Sequence, residues 1–324
     1  MLEVMDLTKR YGDVNALDGV TFSARPGVVT GFLGPNGAGK TTTMRIILGL
    51  DKPTAGTVRV NGRDYTESNA PLHEMGALLD AKALDSGRSA RHHLLALGAT
   101  VGVGRRRVDE VLEIVGLTDV ARRRAGSFSL GMGQRLGIAS ALLADPGVVM
   151  LDEPVNGLDP DGIIWIRGLL KQLAAEGRTV FLSSHLMTEM EMTAEHLIVV
   201  GHGRVLADMP MTEFIAGAAT GIVQVSSPEH ARLTTLVTGP DVSVTSTGGD
   251  GLEVSGISAA DIGAMAAQAG ITLHELHTVE ASLERAFMEM TKDSVDYHGG
   301  ADIDSTQANA HNRPTNRTHE EKAA

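Results

Sequence analysis

The sequence predicts an α/β protein whose parallel sheet is split by a helical insert and followed by a smaller α+β module. Three patterns predict it. The first two hundred residues alternate strand-like and helix-like segments, as strands joined by crossover helices do. Between about Ala90 and Ala144 the patterning is mostly helical. Beyond a composition shift near Ala216–Gly221, short strands and helices run in the order β-α-β-β-α-β, the split arrangement of ferredoxin-like domains.

In chain order, Val28–Leu33 reads as a buried strand feeding a glycine-rich turn. Thr41–Leu50 follows as a helix, stopped by Gly49 and by Pro53 beyond it, since neither residue extends a helix well. In the insert, Val108, Val111, Leu112 and Val115 recur at three- and four-residue spacing, one face of a 3.6-residue period. Strand-like runs return at Val148–Leu151, Thr179–Ser184 and Leu197–Val200, the last two separated by an amphipathic helix. Gly201-His202-Gly203 then turns the chain into Arg204–Leu206.

The second module reads as strand Ile222–Ser226, helix Pro228–Leu236, strands Val242–Thr245 and Leu252–Ser255, helix Ser258–Gln268 and strand Ile271–His277. A helix over Glu280–Met290 closes it. Domains are therefore expected at 1–217, with the helical subdomain at about 90–144, and at 218–291. A disordered tail is expected over 292–324, rich in Asn, Thr, His, Asp and Glu. Such a composition buries too little apolar surface to offset its ordering entropy.

Composition narrows the function classes. With 324 residues, 42% of them apolar, the chain can fill a sizeable core. It has no cysteine, which excludes disulfides and thiolate metal sites and permits a reducing compartment. Its net charge of −12 argues against a general nucleic-acid binder, because phosphate contacts need clustered Lys and Arg. The basic triplets Arg105-Arg106-Arg107 and Arg122-Arg123-Arg124 lie in amphipathic helical regions; each reads as a solvated helix face, with a partner contact as the alternative. Met1–Asp6 lacks the basic start and apolar run of a secretory signal. No stretch approaches the roughly 18 apolar residues of a membrane span, so the chain is expected to be soluble by itself.

Gly34-Pro35-Asn36-Gly37-Ala38-Gly39-Lys40-Thr41 fits G-x-x-x-x-G-K-[ST] between a strand and a helix, the context that gives the pattern meaning. Glycines let the backbone curl with several N–H groups pointing inward at an anion. The helix that follows offers its positive N-terminal end to β- and γ-phosphates. Lys40 adds a full charge, the Thr41 hydroxyl can join the shell of Mg²⁺, and Thr42 is placed to reach another phosphate oxygen. The bland alternative is a tight turn without a ligand. The motif by itself specifies a nucleoside triphosphate site and not its purpose.

Val148–Leu151 is an apolar run that ends in Asp152 and Glu153. At a strand end the chain can aim both acids into one crevice. Asp152 is expected to hold Mg²⁺, directly or through water, and Glu153 to orient and deprotonate the water attacking the γ-phosphate. Solvated acids at an ordinary strand exit are the alternative, weakened by the neighbouring phosphate loop. His185 closes the run Thr179–Ser184. A lone histidine there is commonly structural, yet three strands now end in chemically useful groups on the side where parallel sheets bind ligands. That convergence favours a catalytic role.

Taken in order, these motifs resemble the ATP-binding cassette (ABC) family of transporter ATPases, a branch of phosphate-loop NTPases. The resemblance covers roughly residues 2–215 and adds Phe128-Ser129-Leu130-Gly131-Met132-Gly133-Gln134-Arg135 and Asn156-Gly157-Leu158-Asp159 to the motifs above. It implies that two such domains, in a homodimer or heterodimer, close head to tail with ATP between the loop of one and Ser129 and Gly131 of the other, Asp159 lying at the contact. It also implies that Tyr11 stacks on adenine, although Tyr11 equally suits a plain surface position.

Two departures stand out. The family's usual Leu-Ser-Gly-Gly-Gln is Phe-Ser-Leu-Gly-Met at 128–132, which keeps Ser129 and Gly131. Where a glutamine usually follows the sheet strand, Asp80 stands here and could approach Mg²⁺ through water. Both resemble a branch of bacterial drug, bacitracin-type or lantibiotic-type exporters with a C-terminal extension, whose last helix Ser282–Phe287 resembles. The resemblance thus implies a peripheral ATPase on the inner face of the cell membrane. It would drive export through a separate integral permease docked near 80–97. The runner-up is a soluble cassette ATPase acting on nucleic acid or the ribosome, disfavoured by the acidic balance and single cassette. A regulatory module without turnover is disfavoured by the intact Lys40, Asp152, Glu153 and His185.

Overall fold

The computed structural model describes residues 1–80, 83–218, 221–279 and 282–291. The chain opens with β1 (Leu2–Tyr11) and β2 (Val14–Ala24), then β3 (Val29–Leu33), α1 (Lys40–Ile47), β4 (Ala55–Val60), the short α2 (Pro71–Glu74) and β5 (Met75–Leu78). The insert holds α3 (Ala90–Thr100), α4 (Arg105–Ile114) and α5 (Leu130–Leu142). The sheet resumes with β6 (Val148–Asp152), α6 (Pro160–Ala175), β7 (Thr179–Ser183), α7 (Met187–Thr193), β8 (His196–Gly201), β9 (Arg204–Pro210) and α8 (Met211–Ala218). The second module follows as β10 (Val223–Ser226), α9 (His230–Val237), β11 (Ser243–Gly248), β12 (Gly251–Ser255), α10 (Ala259–Ala269), β13 (Glu275–Thr278) and α11 (Leu283–Thr291).

The central sheet has the order β5-β6-β7-β3-β8-β9. Its first five members pair in parallel, and β9 is antiparallel to β8. Every residue of β3 and β7 is buried, the continuous apolar pattern of parallel strands covered on both faces. The topology that matters most is local: β7 lies between β6 and β3, so the segments leaving those three strands emerge side by side.

A separate three-stranded antiparallel sheet, β2-β1-β4, covers one face. Its apolar side joins the central sheet in a shared core, where the rings of Phe22, Phe32 and Phe181 lie 5.1–5.6 Å apart. The opposite face is covered by α6 and the insert, whose Val108, Val111, Leu112 and Val115 are all buried. Helix α1 begins at Lys40 and ends at Ile47, its turn closed by Leu48 and Gly49.

In the second module the sheet order is β11-β12-β10-β13, all antiparallel, with its own core of Val223, Val225, Leu233, Leu252, Val254 and Ile262. β12 lies between β10 and β11, which is the expected split arrangement. The last strand is shorter than the expected Ile271–His277. Gly270 takes φ 64°, Ile271 donates to Ala266, and the buried Ile271 seals the end of α10 instead of entering the ladder. Helix α11 also differs from the expectation that it closes this module. Its buried Leu283, Ala286 and Phe287 belong to the core of the first module, against α7 and α8. The expected tail over 292–324 and residues 280–281 lie outside the described residues. Among the described residues no helix is long and apolar enough to cross a membrane.

Candidate active site

The loop between β3 and α1 is shaped by glycine. Gly39 takes φ 100°, and a Cβ there would stand 2.8 Å from the Ala16 carbonyl oxygen, so no other residue fits without moving β2. Lys40 starts α1, and its ammonium donates to the carbonyls of Gly34 at 2.5 Å and Pro35 at 3.1 Å. The loop therefore folds around its own cation. Burial lowers the Lys40 pKa from its ordinary value, and the neighbouring carboxylates of Glu153 and Asp152 oppose that shift.

The ends of β6 and β7 face this loop. Asp152 pairs in register with Ser183, whose hydroxyl donates to its carboxylate. Glu153 has φ 50°, a left-handed conformation that non-glycine residues rarely adopt. Its amide donates to the carbonyl and hydroxyl oxygens of Ser183, each at 3.2 Å. Its carboxylate Oε2 lies 2.7 Å from Nδ1 of His185 and accepts the His185 amide at 3.3 Å. An acid and an imidazole are thus linked at the rim of the loop.

Asn36, Gly37, Ala38, Gly39, Lys40, Thr41, Thr42, Asp152, Glu153 and His185 line one cleft of about 630 Å³, together with Ala16. Gly34 and Pro35 stand behind it as the acceptors of Lys40. The remaining candidates lie outside its lining. Tyr11 ends β1, half exposed, with the Lys9 ammonium 4.8 Å from its ring centre. Asp80 is exposed, two residues beyond the edge strand β5. Ser129 caps α5 by accepting the Met132 amide at 3.3 Å and lines a shallow groove with Leu84, Ser86, Phe128 and Leu130. A Cβ on Gly131 would stand 2.8 Å from the Gly157 carbonyl oxygen, so this helix start packs directly on the 156–159 turn. That turn ends in Asp159, which caps α6 by accepting the Gly162 amide at 3.0 Å.

Three contributors take roles that the motifs do not announce, although Gln134 stands within the 128–135 segment. Ser183 reads as a strand residue in the sequence, yet it holds Asp152 and Glu153. Gln134, 3% exposed, donates from Nε2 to the Glu153 carbonyl at 3.2 Å. Ala16 carries no chemical signal, only proximity.

Chemically, the cleft offers a glycine-rich loop at a helix start, a lysine cation, a carboxylate held by a hydroxyl and a carboxylate–imidazole pair. A polyanion fits the first two, and proton transfer to or from water fits the last.

The chain is similar to known proteins in sequence and in fold. Residues 17–156 match the family model described as ABC transporter, and residues 221–284 match a domain of unknown function. The chain is 41% identical over 213 residues to the bacitracin transport ATP-binding protein BcrA of Bacillus licheniformis, covering 65% of this chain and 70% of that protein. It is 34% identical over 298 residues to the Nod factor export ATP-binding protein I of Paraburkholderia xenovorans, covering 90% of this chain and 96% of that one. Among solved structures, the dimeric post-hydrolysis state of an ATP-binding cassette with ADP and phosphate aligns at TM-score 0.60 and 26% identity, covering 65% of this chain and 99% of that one.

Proposed function

The chain belongs to the ABC transporter family, and on that premise we propose how its cleft turns ATP hydrolysis into transport. The protein binds ATP and hydrolyses it as the nucleotide-binding subunit of an ABC transporter. The observation that supports our reading of the site is the emergence of the phosphate loop, Asp152-Glu153 and His185 from three adjacent strands into one cleft.

In this reading the amides of the loop and the Lys40 ammonium receive the β- and γ-phosphates, and Lys40 exchanges two loop carbonyls for phosphate oxygens. Thr42 takes a further oxygen. Glu153 accepts the proton of the attacking water, a contribution of about 10²–10⁴ in rate. His185 holds the Glu153 carboxylate in place from the far side. Mg²⁺ fits the donor set, since the Thr41 hydroxyl and the Asp152 carboxylate line the same cleft. Held there by Thr41 and Asp152, Mg²⁺ would supply positive charge against the phosphates. Asp80 lies outside that lining, from which it would approach the ion only through water.

The partner's nucleotide is the target of Ser129 and Gly131 when two cassettes close head to tail, and the position of these two outside this chain's own cleft supports that assignment. Tyr11 stacks on adenine. The transport path belongs to a separate integral permease, which this chain contacts near 80–97 from the inner face of the membrane, with residues 221–279 as an accessory module and α11 packed back on the first module. The relative that transports bacitracin supports a peptide or drug-like substrate, and the relative that exports Nod factor supports export as the direction.

Calorimetry with Mg²⁺ and ATP tests the phosphate assignment. The intact protein should release heat on binding and Lys40→Ala should not. Equal binding by the two proteins contradicts the assignment.

A further inference from the structure

Glu153 stands in a backbone conformation, φ 50°, that must be held by its surroundings. Among the described residues four hydrogen bonds hold it. Two run from its amide to Ser183 on β7, and one comes to its carbonyl from the Asn156 amide in the following turn at 3.2 Å. The fourth comes from Gln134 on α5, at 3.2 Å to the same carbonyl. Gln134 is 3% exposed, so its amide is screened from water that could replace it.

The origin of that fourth bond is what distinguishes it. Helix α5 opens on Ser129 and Gly131 and packs against Gly157 so closely that a methyl group at Gly131 would strike the turn. The turn itself begins three residues after Glu153. Helix α5 therefore grips both ends of the segment 153–157, at the Glu153 carbonyl through Gln134 and at Gly157 through Gly131.

We propose that Gln134 is a positioning residue for hydrolysis, fixing the backbone of Glu153 and tying it to the helix whose first turn carries Ser129 and Gly131. This rests on the reading of Glu153 as the base. A displacement imposed at the start of α5 by a second nucleotide then reaches the base of the chain's own cleft through one buried amide. Losing the donor lets Glu153 drift from its aim, and misplacement by about 1 Å costs on the order of 10²-fold in well-aligned sites. With three of four bonds left, a smaller loss of about tenfold is expected.

The experiment compares Gln134→Met, which keeps the side-chain volume and removes the donor, with Glu153→Gln and with the double variant. Phosphate release is measured per titrated ATP site, so partly folded material still reports. Gln134→Met should lose about tenfold in kcat while its Kd for ATP stays within about twofold. The double variant should be no slower than Glu153→Gln alone, because Gln134 acts through Glu153. A merely structural glutamine would instead weaken ATP binding or slow the double variant further. Gln134→Met with the kcat of the unaltered protein, or a fully additive double variant, overturns the proposal. If Glu153→Gln alone hydrolyses at the unaltered rate, the reading of Glu153 itself fails.

Discussion

Nδ1 of His185 lies 2.7 Å from Oε2 of Glu153, and the His185 amide donates to the same oxygen. The side chain of His185 is 61% exposed, whereas that of Glu153 is 25% exposed. The histidine is thus the outer member of the pair and restrains the carboxylate from the solvent side. His185→Ala keeps the backbone donor and removes the ring. It should lower kcat by roughly 10²-fold with ATP affinity changed little, as read from phosphate release beside calorimetry.

Gly131 offers a second prediction, because it touches the turn and not the cleft. Gly131→Ala places a methyl 2.8 Å from a backbone oxygen, and backbone must give way. ATP binding to the isolated chain should stay within about twofold, since the cleft lining is untouched. Steady-state hydrolysis should fall at least about tenfold as the start of α5 and the 156–159 turn separate.

Phe181 carries the packing between the two sheets. It is fully buried, stacked on Phe22 at 5.6 Å between ring centres and tilted against Phe32 at 5.1 Å. Truncation leaves a cavity that neither sheet can close, so Phe181→Ala should destabilise the fold by about 3–5 kcal/mol. Urea midpoints at constant slope measure it.

His93 sets an acid limit on the helical insert. It is 8% exposed on α3, and burial lowers its pKa below 6.5, with the Asp85 carboxylate opposing and Arg88 adding to the shift. The folded state then binds fewer protons than the unfolded state below pH 6.5, so stability falls on acidification. The contribution is fully present above 6.5, is lost as pH drops through the folded value, and stays lost below it. Urea midpoints between pH 7.5 and 5 should decline less in His93→Gln than in the unaltered protein.

The central strands were legible because each is a short apolar run ending in a residue with chemistry: Gly34 onward, Asp152-Glu153 and His185. Hydrophobic runs report burial, and the side of a parallel sheet that binds ligands follows from the topology. β1 was not legible for a physical reason. Its register shifts between Val4 and Leu7 and again before Lys9, with Asp6 at φ 48°, so the alternation that announces a strand changes phase within ten residues. Ser183 and Gln134 gain their roles only from neighbours 31 and 19 positions away, which local pattern does not record. For α11, the amphipathic pattern announces a buried face, but the pattern does not say which of two cores receives it.

The central claim is that Glu153 takes the proton from the water that attacks ATP in this cleft. Single-turnover phosphate release by Glu153→Gln, with ATP retention followed in the same samples, tests it most directly. The account predicts that the variant holds ATP as tightly as the unaltered protein and releases phosphate at least about 10²-fold more slowly. Phosphate release at the unaltered rate from a variant with full ATP occupancy contradicts it.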